Sequence, residues 1–127
     1  MERVTGIGGV FFKAKDPKEL QTWYERHLGF VADENGYVSF KWWEGADPTR
    51  EGQTIWSAMK DSTKYFDPST RPYMINYRVE NLDRMLAQLK AAGVEAKRED
   101  SEYGNFAWVM DPEGNRIELW EPPPEKK

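Results

Sequence analysis

Two stretches of the chain decide its fold: Gly9 to Gly29, GVFFKAKDPKELQTWYERHLG, and Met74 to Gly93, MINYRVENLDRMLAQLKAAG. Each opens on an apolar run, reaches a helix-capping residue, continues as an amphipathic stretch and stops at glycine. Gly9 and Met74 are 65 residues apart, as are the caps Asp16 and Asn81, while the stops Gly29 and Gly93 are 64 apart. The chain therefore repeats itself about halfway along. Neither half is large enough to bury a core alone, so the two predict one domain with internal pseudo-two-fold symmetry. A seam between such halves is a natural place for a ligand cleft.

The local chemistry of each stretch supports a helix. Asp16 caps the first, Pro17 takes its first position and Glu19 stands where a capping-box carboxylate belongs. Leu20, Trp23, Tyr24 and Leu28 then make an apolar stripe, and Gly29 supplies the left-handed stop. In the second copy Asn81 is the cap and Leu82, Met85, Leu86 and Leu89 form the stripe. Working outward, Val10 to Ala14 and Met74 to Val79 read as the strands that lead into the helices. Gly29 to Ala32, Tyr37 to Trp43 and Thr54 to Met59 complete the first copy, with Asn35-Gly36 as a hairpin turn. Val94 to Arg98, Phe106 to Met110 and Arg116 to Glu121 complete the second, with Asp111-Pro112-Glu113-Gly114 as its turn. Each copy is then strand–helix–strand–strand–strand. The predicted organisation is a single α+β domain over residues 1–127. It has βαβββ modules at 5–60 and 72–121, a linker at 61–71 and a flexible tail at 122–127.

Composition narrows the function. There is no cysteine, which removes disulfides, thiolate metal sites and a Cys nucleophile together. A net charge of −4 argues against a nucleic-acid backbone as the main partner. No apolar run approaches the roughly 20 residues of a membrane helix, and the N-terminus reads without a signal-peptide core, so a soluble cytoplasmic protein is expected. Six tryptophans are many for this length. Aromatics fill cores and also make cleft walls.

The run Ile7-Gly8-Gly9-Val10-Phe11-Phe12 to Asp16-Pro17, then Trp23-Tyr24 to Leu28-Gly29-Phe30, resembles the opening of the vicinal oxygen chelate superfamily. That group includes glyoxalase I, the bleomycin-resistance proteins and the extradiol dioxygenases. Asp111-Pro112-Glu113-Gly114-Asn115-Arg116-Ile117-Glu118-Leu119-Trp120 is similar to its closing signature. The resemblance implies the glyoxalase/bleomycin resistance/dioxygenase fold, in which two βαβββ modules form an incomplete, barrel-like curved sheet around a cleft. It also implies a small-molecule ligand and a homodimer. Fold alone leaves the chemistry open.

The same resemblance implies a divalent metal held by one residue from the first and last strand of each module, usually two His and two Glu. Such a set suits Zn, Ni, Mn or Fe. Carried onto this chain, the positions fall on Gly9, near Trp56, on Met74 and on Glu118. Glycine has no side chain, the indole offers no ligating lone pair, and a thioether is a poor ligand for a hard ion. Only Glu118 remains, so no metal and no other cofactor is expected. The sole histidine, His27, reads as a cation at the C-terminal end of the first helix.

Strand alternation assigns the faces. Val10, Phe12, Ile75, Tyr77, Val79, Ile117 and Leu119 should face the helices. Gly9, Phe11, Met74, Asn76, Arg78, Trp108, Arg116, Glu118 and Trp120 should face the cleft. Trp56, Met74, Phe106 and Trp108 would be apolar walls, Asn76, Arg78, Arg116 and Glu118 directional polar contacts, and Phe40 and Trp42 additions to the wall. That is a pocket rather than a metal cage. A plainer arrangement is also open, in which the aromatics fill the interior and Glu118 is salt-bridged to Arg78 or Arg116. Enclosure by tryptophan would raise the pKa of Glu118 toward that of a general base, while a neighbouring arginine would lower it. No second acid–base group is apparent, since Tyr65, Tyr73 and Tyr103 fall on the linker and loops. No nucleophile elbow, phosphate loop or nucleotide fingerprint is present.

Two functions of different class follow. One is a metal-free protein that binds or sequesters an aromatic or amphipathic compound, as the resemblance to bleomycin-resistance proteins implies. The other is a glyoxalase-like lyase or isomerase, or a dioxygenase, with an atypical metal site drawn from Asp33, Glu44, Glu80 or Asp111. A duller possibility is a dimer with an unrelated partner.

Overall fold

The computed structural model describes residues 1–124. Of the expected tail, residues 125–127 lie outside the described residues, and 122–124 have no regular structure. In chain order the elements are β1 (Val4–Ala14), α1 (Pro17–Leu28), β2 (Val38–Trp43), a short 3-10 turn (Glu44–Ala46), β3 (Glu51–Lys60), β4 (Tyr73–Val79), α2 (Leu82–Ala91), β5 (Lys97–Ser101), β6 (Gly104–Met110) and β7 (Arg116–Glu121). The strands make one mixed sheet in the order β2-β3-β1-β4-β7-β6-β5, which does not close into a barrel. The halves meet where β1 pairs antiparallel with β4, within one chain. Each half repeats the same internal step, with β1 parallel to β3 and β4 parallel to β7. Among the described residues no helix is long and apolar enough to cross a membrane.

The helix signals act as expected. The Asp16 carboxylate accepts from the Glu19 amide at 3.0 Å and the Asn81 side chain from the Arg84 amide at 3.0 Å, satisfying donors that each helix start leaves free. Gly29 closes α1 at φ 71°, a left-handed conformation glycine adopts without strain. α2 packs Leu82 and Met85 onto Val79, Ala107 and Leu119 in a buried cluster. α1 is attached differently. Tyr24 packs against Phe30 and Trp56, while Trp23 and Leu28 stay half-exposed, so the expected stripe buries only part of itself.

Two expectations need correction. Gly29 to Ala32 is not a strand: it makes a single bridge, Ala32 to Val38. Gly29 is spent on the helix cap, and Asp33 turns the chain by accepting from the Asn35 and Tyr37 amides, both at 2.9 Å. The fifth strand begins at Lys97 rather than Val94, because the Val94 amide still closes α2 on the Leu89 carbonyl. The segment between the halves is anchored in the core. Phe66 is fully buried and Ser69 nearly so, which fastens this segment across the sheet.

Candidate functional site

The concave face opposite the helices carries a cavity of about 1140 Å³. Its floor comes from β1, β4, β7, β6 and β3, through Phe11, Asn76, Glu118, Trp120, Phe106, Trp108, Ile55 and Met59. Tyr65 covers one end, and Asp33, Tyr37, Glu99 and Tyr103 stand at the rim. Position in the ladder explains which residues meet. Laterally paired residues share a face of a sheet, so Asn76 and its β7 partner Glu118 point the same way, as does Trp108, the partner of Glu118 on β6.

A β-bulge brings the two halves together. Ile7 pairs with Tyr77 and Gly9 with Asn76, leaving Gly8 as the extra residue. A Cβ on Gly8 would lie 2.3 Å from the Asn76 Oδ1, so only glycine lets Asn76 lie flat there and reach Glu118.

Glu118 is the polar centre, at 2% exposure. Its Oε1 accepts from the Asn76 Nδ2 at 2.6 Å; its Oε2 accepts from the Trp108 Nε1 at 2.9 Å and from the Tyr65 hydroxyl. A buried carboxylate needs such donors, because leaving one unpaired costs far more than a lost surface hydrogen bond. The salt bridge of the alternative arrangement, from Glu118 to Arg78 or Arg116, is not present among the described residues. Arg78 is held between the rings of Trp42 and Trp120 and pairs with Glu44 at 3.3 Å. Arg116 lies over the Trp108 ring and donates to the Tyr65 carbonyl. Burial, and next the charge of Glu118, push the Tyr65 hydroxyl above its ordinary pKa. In an alkaline titration followed by ultraviolet difference spectroscopy, Tyr65 should ionise in a late step, above the ordinary tyrosine range. An acid whose folded pKa is raised stabilises the fold fully below the ordinary tyrosine value near 10 and loses that contribution as pH rises past it. Tyr65→Phe should remove the late step; a variant with the same late step would show that this hydroxyl does not face Glu118.

The expected site residues divide. Phe11, Asn76, Phe106, Trp108, Glu118 and Trp120 line the one cavity. Met74, at 1% exposure, lies beneath it, packed with Phe11, Phe66 and Trp108. Trp56 faces the other side, against Tyr24 and Phe30, because its ladder partner Val10 faces the helices. Its place in the wall is taken by Ile55 and Met59. Phe40 also packs on Phe30, half-exposed. Trp42 lies over Gly6 and Gly52 behind Arg78, and donates to the Thr54 hydroxyl. Arg116 opens instead onto a second cavity of about 830 Å³, with Asp67 and Lys97. Tyr65 and Glu99 were not legible as site residues, and Asp33 was legible only as a candidate metal ligand. Only the pairing of Glu99 with Phe106 could have pointed to one of them.

The register also moves one inherited position. Phe11 sits beside Ser57 as Asn76 sits beside Glu118, so Ser57, not Trp56, is the counterpart of Glu118. Gly9, Ser57, Met74 and Glu118 do not suit the divalent metal of the fold family. One position has no side chain, one a neutral hydroxyl and one a thioether, and both oxygens of the carboxylate are engaged by protein donors. The other candidates are occupied elsewhere. Asp33 caps its own turn, Glu44 and Glu80 pair with Arg50, and Asp111 accepts from the Glu113 and Asn115 amides.

Sequence comparison places the family. The Glyoxalase/Bleomycin resistance protein/Dioxygenase superfamily matches residues 6–119, and the chain belongs to it. The fold has solved counterparts. Methylmalonyl-CoA epimerase from Mycobacterium tuberculosis is 23% identical with a TM-score of 0.61, over 95% of this chain and 90% of that one. A variant methylmalonyl-CoA epimerase from Streptomyces coelicolor, in complex with 2-nitronate-propionyl-CoA, is 14% identical with a TM-score of 0.70, over 96% and 100%. A catechol 2,3-dioxygenase is 19% identical with a TM-score of 0.65, over 97% of this chain and 41% of that one. At these identities the likeness is one of fold. Comparison with curated proteins gives no match.

Proposed function

We propose that this superfamily member is a metal-independent small-molecule-binding protein that takes up an aromatic or amphipathic compound in the concave cavity, in the manner of a bleomycin-resistance protein. The observation that carries the reading is the state of Glu118: the one carboxylate surviving at the inherited metal positions is already held by Asn76, Trp108 and Tyr65. A carboxylate so held positions the wall around it and has most of its accepting capacity spent on protein donors. The cavity supports the same reading, since apolar and aromatic walls with a few convergent polar groups suit a small organic ligand. Burying a flat ring against Trp108 and Phe106 would supply the affinity.

A neutral bicyclic probe, naphthalen-2-ylmethanol, should quench tryptophan fluorescence saturably. Its affinity should be the same before and after dialysis against EDTA. A saturable signal that appears only when Zn, Ni, Mn or Fe is added would overturn the reading in favour of a metal-dependent lyase, isomerase or dioxygenase.

A further inference from the structure

The lining of the cavity is one-sided in charge. Three carboxylates border it, Asp33, Glu99 and Glu118, and among the described residues that line it there is no Lys, Arg or His. Composition does not account for this. With 18 Lys and Arg against 22 Asp and Glu in 127 residues, a surface chosen without regard to charge would carry a couple of cations. Three cations outside the lining lie over aromatic rings. Lys13 lies over Phe66, Arg78 between Trp42 and Trp120, and Arg116 over Trp108.

The carboxylates differ in what they can still accept. Glu118 already accepts three hydrogen bonds, one on Oε1 and two on Oε2, so it contributes charge with little accepting capacity to spare. Asp33 spends one oxygen, Oδ1, on the Asn35 and Tyr37 amides. Glu99 is exposed, shares a face with its ladder partner Phe106, and has no ion-pair partner among the described residues. The rim thus offers unspent negative charge beside the rings of Tyr37 and Tyr103, while the interior offers rings over a buried anion. Aromatic faces attract cations, most strongly where water is excluded, and a low-dielectric cleft focuses the field of its carboxylates.

We infer that the ligand of this cavity is a cation: an aromatic or amphipathic molecule whose ring lies against Phe106 and Trp108 and whose amine or quaternary ammonium group faces Glu99 and Asp33. The inference rests on the binding reading proposed above and adds the ligand's charge. An anionic compound such as a carboxylate or phosphate ester meets no counter-charge here and is rejected by all three acids.

A matched series tests it: naphthalen-2-ylmethylammonium, naphthalen-2-ylmethanol and naphthalene-2-carboxylate, titrated at neutral pH in low and high salt. The ammonium should bind about tenfold or more tightly than the alcohol, with the carboxylate weakest and the preference shrinking in salt. Glu99→Gln should narrow the ammonium-over-alcohol ratio; Glu113→Gln, the same charge change on an exposed turn away from the cavity, should not. Equal affinities across the series, or a preference for the carboxylate, would overturn the inference while leaving the binding function intact. Failure of all three probes to quench would remove both together.

Discussion

Replacing Phe66 by alanine is expected to lower the free energy of unfolding by about 3–5 kcal/mol, the usual cost of removing a large ring from a packed interior. Phe66 has no exposed surface and packs with Phe11, Met74 and Trp108. The ring comes from the segment that joins the two halves, so its loss acts twice. It opens a void over Met74, and it loosens the neighbouring Tyr65, whose hydroxyl is one of the three donors to Glu118. A buried carboxylate deprived of a donor adds its own penalty. Urea unfolding of Phe66→Ala beside Tyr65→Phe separates these effects, since the second variant removes only the hydroxyl. Tyr65→Phe should cost about 1–3 kcal/mol, less than the loss of the ring. A Phe66→Ala variant within about 1 kcal/mol of the parent would mean that the segment is not part of the core.

The architecture was legible wherever the chain repeats a local rule. Asp16 with Pro17, and Asn81 with Leu82, announce helix starts because an unpaired amide needs an acceptor whatever the tertiary setting. Each strand then carries its own alternation, which places Phe11, Asn76, Glu118 and Trp108 on one face. Features set by neighbours in space were harder to read. Setting Trp56 as the counterpart of Glu118 in the repeat puts it on the cleft side, one residue out of register. The β1–β3 ladder pairs Val10 with Trp56 and turns that indole to the helices. A slip of one residue exchanges the faces of a whole strand. Arg78 and Arg116 read as partners for Glu118 on parity alone, but stacking on Trp120, Trp42 and Trp108 draws both guanidiniums away. Tyr65 lies in a stretch with no periodicity and two prolines, and no local rule points its hydroxyl at a residue 53 positions later.

Trp108 is where the wall, the carboxylate and the core meet, and Trp108→Ala should have the largest effect on binding. Its ring faces the cavity, lies parallel to Phe106, takes Tyr65 edge-on and has Arg116 over it, while its Nε1 donates to Glu118. Truncating an aromatic at the centre of a desolvated site costs about 2 kcal/mol or more, a loss of affinity near thirtyfold. The naphthalen-2-ylmethanol titration should show that loss in Trp108→Ala protein that remains folded by circular dichroism. Trp108→Phe divides the contribution. It keeps a ring against the ligand but leaves the Glu118 Oε2 with Tyr65 alone, so it should weaken the neutral probe less than the alanine does and still cost stability. Glu118→Gln holds the shape and removes the charge, and should spare the neutral alcohol while weakening the matched ammonium. If folded Trp108→Ala binds the neutral probe as tightly as the parent, the ligand does not sit on this face, and Trp108, Phe106 and Glu118 are parts of a core whose only product is stability.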